Sequence, residues 1–106
     1  MPPVIKSIEP LGIAEQFKTL AERWKDATAL LSSTTAMVSH PAYQAIIALG
    51  PPVVPLILRD LGREPIHWFE ALQTITGDDP VPREHWGNID AMRADWLTWG
   101  RQQKLI

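Results

Sequence analysis

The chain has 106 residues, with 45% apolar and 21% charged side chains, which is typical of one soluble globular domain. Ten basic and twelve acidic side chains give a net charge of −2, a balance that does not favour binding to nucleic acid or to an anionic membrane. The absence of cysteine excludes disulfides, thiolate zinc sites and a cysteine nucleophile.

Residues 1–12 are predicted to form an extended N-terminal tail, because Pro2, Pro3 and Pro10 disfavour a helix there. This segment has no apolar run of the kind found in secretory signals. The longest apolar stretches elsewhere fall well short of the roughly 20 residues that cross a bilayer. We therefore expect a cytoplasmic protein in which residues 13–106 form a single helical domain.

A long first helix is predicted to begin at Ile13. Apolar side chains recur there at intervals of four and three residues, which places them on one stripe of a helix. The predicted stripe consists of Ile13, Phe17, Leu20, Trp24, Ala27 and Leu31. The serine and threonine run at residues 32–35 then marks either a bend or the start of another helix, because hydroxyl side chains compete for backbone hydrogen bonds.

Three shorter helices are predicted next, each with proline near its start and glycine at its end. Proline is favoured in the first turn of a helix, and glycine is favoured just after the last turn. The three terminating glycines are Gly50, Gly62 and Gly77. The middle segment is rich in β-branched residues, but Pro55 argues against a paired strand there.

A last helix is predicted over residues 88–103, with Asn88 as its N-cap and Asp90 in its first turn. Trp96 and Trp99 fall on its apolar stripe, as Trp24 does on that of the first helix, so all three are expected in the core or in a helix seam. The predicted fold class is all-α, a compact bundle of about five helices.

The middle of the chain resembles HEAT-like helical repeats, in which antiparallel helix pairs stack side by side. The residues that carry the resemblance are Val54-Pro55-Leu56, where one helix begins, and Ala71-Leu72, Ile75 and Gly77-Asp78, where the next ends. The ending, Thr76-Gly77-Asp78 followed by the paired Trp96 and Trp99, is similar to terminal segments of HEAT-like proteins. The resemblance implies antiparallel helix pairs within the bundle.

A second resemblance covers about residues 20–103. It rests on the segments HPAYQAIIALG, VPLIL, HWFEALQTITG, DPVP and WLTWG, which look like those of a family of small uncharacterised bacterial proteins. Neither resemblance implies a catalytic residue or a cofactor.

The charged and imidazole side chains do not predict an active site. His40, His67 and His85 lack the spacing of metal ligands, and we expect a structural role for each. His67 and Glu70, three residues apart on a predicted helix, fit an exposed ion pair better than a general base, since no nucleophile accompanies them. We therefore predict no enzyme activity, no metal and no cofactor.

The longest predicted connection is GDDPVPREHWG, residues 77–87, and it is the candidate partner-binding segment. Its prolines reduce the entropy lost on binding, and Trp86 lies outside both neighbouring apolar stripes, as an interface anchor would. The candidate partner-binding residues are His67, Trp68, Asp78, Asp79 and Trp86. The alternative is that Trp86 caps the last helix and that Asp78 only closes a turn.

Two functions follow as expectations. The first is a non-catalytic helical adaptor or regulatory protein that interacts with a larger bacterial protein partner, in a setting such as defence or toxin–antitoxin pairing. The second is a nucleic-acid-binding accessory or regulatory subunit, for which the scattered basic residues would have to assemble into a groove. The sequence leaves the oligomeric state open.

Overall fold

A computed structural model of the chain describes residues 3–31, 33–64 and 67–106, with side chains from residue 12 onward. In these ranges the chain forms six α-helices and two single 3-10 turns, and it forms no strand. The predicted all-α class is therefore confirmed. The chain divides into two compact units, residues 1–53 and 54–106, where the sequence predicted a single helical domain over residues 13–106.

The first unit contains α1 (Pro3–Thr28), α2 (Thr34–Val38), α3 (Pro41–Ala48) and a 3-10 turn at Pro51–Val53. Because α1 begins at Pro3, the extended tail predicted for residues 1–12 is helical from that residue onward. Pro3 takes the first helical position, where the N–H group that it lacks would have no intrahelical partner, whereas Pro10 lies inside α1, so the rule that proline disfavours a helix interior fails at that position.

The buried stripe of α1 differs from the predicted one in its middle and in its last turn, because Leu20 is only half-buried and Ala21 is buried instead. It consists of Phe17, Ala21, Trp24 and Thr28. Ala27 is exposed, and Leu31 lies beyond the end of the helix with 42% of its surface accessible. Trp24 belongs to both stripes: its indole Nε1 donates to the Met37 carbonyl at 2.8 Å and its ring lies 5.0 Å from that of Tyr43, so the buried side of α1 contacts α2 and α3.

Side-chain caps start the two short helices of the first unit. The Ser33 hydroxyl accepts a hydrogen bond from the Ala36 N–H at 3.2 Å, so the serine and threonine run starts a helix. His40 caps α3 in the same way, with Nδ1 accepting from the Ala42 N–H at 3.0 Å. This is the structural role that the sequence predicted for His40.

The second unit contains α4 (Val54–Arg63), α5 (Phe69–Thr76), a 3-10 turn at Arg83–His85 and α6 (Ile89–Gln102). Helix α4 packs against both α5 and α6. Pro55 lies in the first turn of α4, which confirms a helix there and not a strand. Gly62 does not end α4 as predicted: the helix continues through it to Arg63, whereas Gly50 and Gly77 do have positive φ angles.

A buried hydrogen bond joins α4 to the residue that precedes α5. Trp68 is completely buried, and its Nε1 donates to the Asp60 carboxylate at 2.8 Å. Asp60 is itself buried, and its second oxygen lies 3.4 Å from the exposed Arg63 guanidinium. Around this pair lies an apolar core that includes Ile57, Leu58, Leu61, Leu72 and Trp96.

Candidate functional site

The segment between α5 and α6 is the candidate site, and we call residues 77–88 the Trp86 loop. It begins at Gly77, whose φ of 73° ends α5 in the left-handed conformation. It ends at Asn88, whose side chain accepts from the Ala91 N–H at 3.0 Å and so caps α6 as predicted. Trp86 is 61% exposed within this loop, which excludes it from the core.

Hydrogen bonds and one buried side chain hold the first half of the Trp86 loop. The Asp79 carboxylate accepts from the Val81 N–H at 3.2 Å, and the Asp78 N–H donates to the Thr76 hydroxyl at 3.0 Å. Val81 is 6% exposed and anchors the loop in the second unit. The side chains of Asp78 and Asp79 are exposed, so both carboxylates are accessible to a partner.

The second half of the Trp86 loop contains the 3-10 turn that precedes Trp86. Within this turn the Trp86 N–H donates to the Arg83 carbonyl at 3.1 Å. The Arg83 guanidinium lies 5.6 Å from the centre of the Trp86 ring, within the range of a cation–π interaction. One face of the exposed indole is therefore already paired with a positive charge.

A side-chain pair ties this turn to α6. His85 Nδ1 lies 2.6 Å from an oxygen of Asp95, and the two side chains are 41% and 20% exposed. Because an ionised carboxylate can only accept, the imidazole Nδ1–H is the donor. The sequence does not reveal this pair, since a separation of ten residues from a turn to a helix leaves no periodic signal.

Two of the candidate partner-binding residues, His67 and Trp68, lie outside the Trp86 loop. Trp68 is fully buried and bonded to Asp60, so its predicted place on a binding surface is wrong. An indole N–H that finds a buried acceptor is stable in the core, whereas the apolar pattern alone could not reveal the acceptor. His67 is half-buried and precedes α5, which begins at Phe69, so it does not share a helix with Glu70 as predicted. The other three candidate residues, Asp78, Asp79 and Trp86, are exposed and lie within the Trp86 loop.

A shallow groove runs along α6, beginning two residues after the Trp86 loop. Its volume is about 340 Å³. The lining residues are Asp90, Arg93, Ala94, Leu97, Thr98 and Arg101. We call this feature the α6 groove. All six residues lie on one face of α6, which combines two arginines with Ala94 and Leu97, and they do not include a nucleophile with an adjacent base.

Among the side chains that the structure describes, no group of three histidine, aspartate or glutamate residues is placed to hold a metal ion. No single helix in the described ranges is long and apolar enough to cross a membrane, although the pair Pro41–Ala48 and Pro51–Arg63 reaches that length and hydropathy when taken together.

Comparisons with protein-family models, with curated proteins and with solved structures give no significant match. The resemblance to a HEAT-like bacterial family therefore stays a prediction.

Proposed function

We propose that this protein is a non-catalytic interaction protein, an adaptor or regulator, that binds a larger protein partner through the Trp86 loop. The observation that carries the proposal is the exposure of Trp86 on a loop that is tied to the second unit by Val81 and by the His85–Asp95 pair. A bacterial defence or toxin–antitoxin system remains the setting that we propose for such a partner.

The physical basis is the energy available from one exposed indole. A tryptophan side chain buries about 150–250 Å² when it enters a pocket, and such residues dominate the affinity of many interfaces. A loop that is already ordered loses less conformational entropy on binding than a flexible one. The Trp86 loop combines both properties, and Asp78 and Asp79 add exposed charges at its start.

Nucleic-acid binding is the second candidate, and the Arg83–Trp86 pair is the observation in its favour. An arginine beside an exposed aromatic ring can stack on a base and contact a phosphate. The same loop, however, carries the carboxylates of Asp78, Asp79 and Glu84 against the single guanidinium of Arg83. This excess of negative charge opposes phosphate groups, so a protein partner is the better proposal.

The first test is the variant Trp86→Ala, because an exposed anchor and a core residue respond differently to truncation. We expect its free energy of unfolding to lie within about 1 kcal/mol of the wild type, since little buried surface is lost. We expect its capture of a partner from source cells, measured by tagged pull-down and mass spectrometry, to be lost. Leu30→Ala is the matched control, because Leu30 is 98% exposed in the other unit.

Several results would contradict the proposal. A loss of several kcal/mol in Trp86→Ala would place Trp86 in the core after all. Equal capture by wild type and Trp86→Ala would show that the loop is not the binding surface. Retention of the wild type on immobilised DNA, falling steeply with added salt and absent in Trp86→Ala, would favour the nucleic-acid function instead.

A further inference from the structure

We propose that the Trp86 loop of one molecule docks into the α6 groove of a second copy of this chain. The inference rests on the proposed function, since it takes the loop to be the docking element, and it names a partner for that element. Both halves of the interaction lie in the second unit, and they are complementary in charge.

The Trp86 loop is more acidic than the rest of the chain taken together. Residues 77–88 contain three carboxylates and one guanidinium, a formal charge of −2. The rest of the chain contains nine acidic and nine basic side chains, a formal charge of zero. The Trp86 loop is therefore acidic, and a surface that binds it should be positive.

The α6 groove provides a positively charged surface. Arg93 and Arg101 line it, and neither forms an ion pair with any carboxylate in the described part of the chain. Arg93 is half-buried, and its Nη2 lies 3.5 Å from the Gly62 carbonyl, which holds its side chain against the end of α4. A guanidinium without a carboxylate partner is favourably placed to accept one from another molecule.

The indole of Trp86 can lie along the same face of α6. Ala94 and Leu97 lie on this face between Arg93 and Arg101, and an arginine can lie over an aromatic ring. The single carboxylate of the groove, Asp90, is opposite in sign to Arg83, the single cation of the loop.

The two surfaces are adjacent in sequence on each molecule. The groove begins at Asp90, two residues after the loop ends at Asn88. In a two-fold dimer the loop of each copy would dock on the groove of the other, and such a reciprocal contact closes at two copies. A larger protein partner would compete with the second copy for Trp86.

The test is sedimentation velocity of the full chain, from low micromolar to submillimolar concentration, at low and at high salt. We expect a reversible monomer–dimer equilibrium that weakens with salt. Trp86→Ala and Arg101→Glu should each weaken dimerisation by about tenfold or more, as loss of an anchor or reversal of a paired charge does. The matched controls are Leu30→Ala and Lys18→Glu, whose wild-type side chains are exposed in the other unit and which should leave the equilibrium unchanged.

A charge exchange makes the test sharper. Glu84→Arg should weaken the dimer, and the double variant Glu84→Arg/Arg101→Glu should recover part of the loss, because opposite charges again face each other. Circular dichroism of each variant establishes that it is folded. The double variant failing to recover any dimer would contradict contact between the acidic loop and the basic groove.

The remaining outcomes separate this inference from the proposed function. A wild type that is monomeric at every concentration overturns the second copy as partner, while capture of another protein through Trp86 would leave the proposed function standing. A dimer that is weakened by Trp86→Ala but not by Arg101→Glu would place the Trp86 loop in the interface and would contradict its docking into the α6 groove. A dimer that is sensitive to neither variant, or to Leu30→Ala, overturns the inference by placing the interface elsewhere.

Discussion

Two buried tryptophans of the second unit differ in what their indole N–H groups contact. Trp68 Nε1 donates to Asp60 at 2.8 Å, whereas no acceptor in the described part of the chain lies within hydrogen-bond distance of Trp96 Nε1. Both rings are fully buried, so the two positions share a similar hydrophobic contribution. A comparison of the two positions therefore tests what the hydrogen bond between Trp68 and Asp60 contributes to stability.

The comparison of Trp68→Phe with Trp96→Phe measures this difference. Both substitutions remove an indole and leave some empty volume, but only Trp68→Phe leaves an oxygen of Asp60 buried without its donor. We expect Trp68→Phe to lower the free energy of unfolding by about 1–3 kcal/mol more than Trp96→Phe does. Urea denaturation of the two variants gives the values. Equal losses would mean that water or rearrangement satisfies the Asp60 carboxylate.

At the scale of the helix, two glycines that look alike in sequence have opposite roles. Gly77 ends α5 with a φ of 73°, a conformation that costs a side-chain-bearing residue energy. Gly62 lies inside α4 with ordinary helical backbone, and a Cβ added there would lie 3.8 Å from Leu97, an ordinary van der Waals distance. The first glycine is required by its conformation, and the second is not.

Alanine substitutions at these two positions should therefore change stability in opposite directions. We expect Gly77→Ala to lower the free energy of unfolding by about 1–2 kcal/mol, because alanine is strained at positive φ. We expect Gly62→Ala to raise it by about 0.4–1 kcal/mol, because alanine favours the helix and restricts the unfolded chain. Thermal denaturation followed by circular dichroism distinguishes them. Destabilisation by Gly62→Ala would contradict the continuation of α4 through Gly62, and stabilisation by Gly77→Ala would contradict the left-handed end of α5.

For the whole molecule, apolar burial is the main source of stability in each unit. The first unit buries Phe17, Trp24, Tyr43 and Ile46, and the second buries the apolar residues around Trp68 and Trp96. Without cysteine there is no disulfide to assist them. The sequence predicts that the chain folds without a metal, and this prediction can be tested directly.

Addition of a strong chelator to the purified protein should leave the Tm unchanged. The reason is that the free energy of binding a structural metal contributes to folding, so its removal lowers the Tm of any domain that depends on one. Differential scanning calorimetry with and without the chelator is the measurement. A decrease of many degrees, reversed by adding back zinc or calcium, would show that the prediction is wrong.

Much of the helical pattern could be predicted because helix ends and apolar stripes depend on residues that are close together in the sequence. Asn88 and Gly77 mark helix ends through local hydrogen bonding and backbone conformation, and both have the predicted roles. Trp24 and Trp96 fall on apolar stripes and are buried as expected. The long connection before α6 also follows from local composition, since prolines and aspartates favour turns there, whereas the sequence left open whether Trp86 is exposed or caps α6.

What only the tertiary structure decided depends on residues that are distant along the chain. The buried N–H of Trp68 donates to Asp60 on α4, eight residues earlier in the chain. The His85–Asp95 pair and the burial of Thr28 in place of Ala27 likewise depend on how separate segments pack. Local propensity and periodicity report the conformation of a segment and its apolar side, whereas the partner of a polar side chain is set by packing between segments.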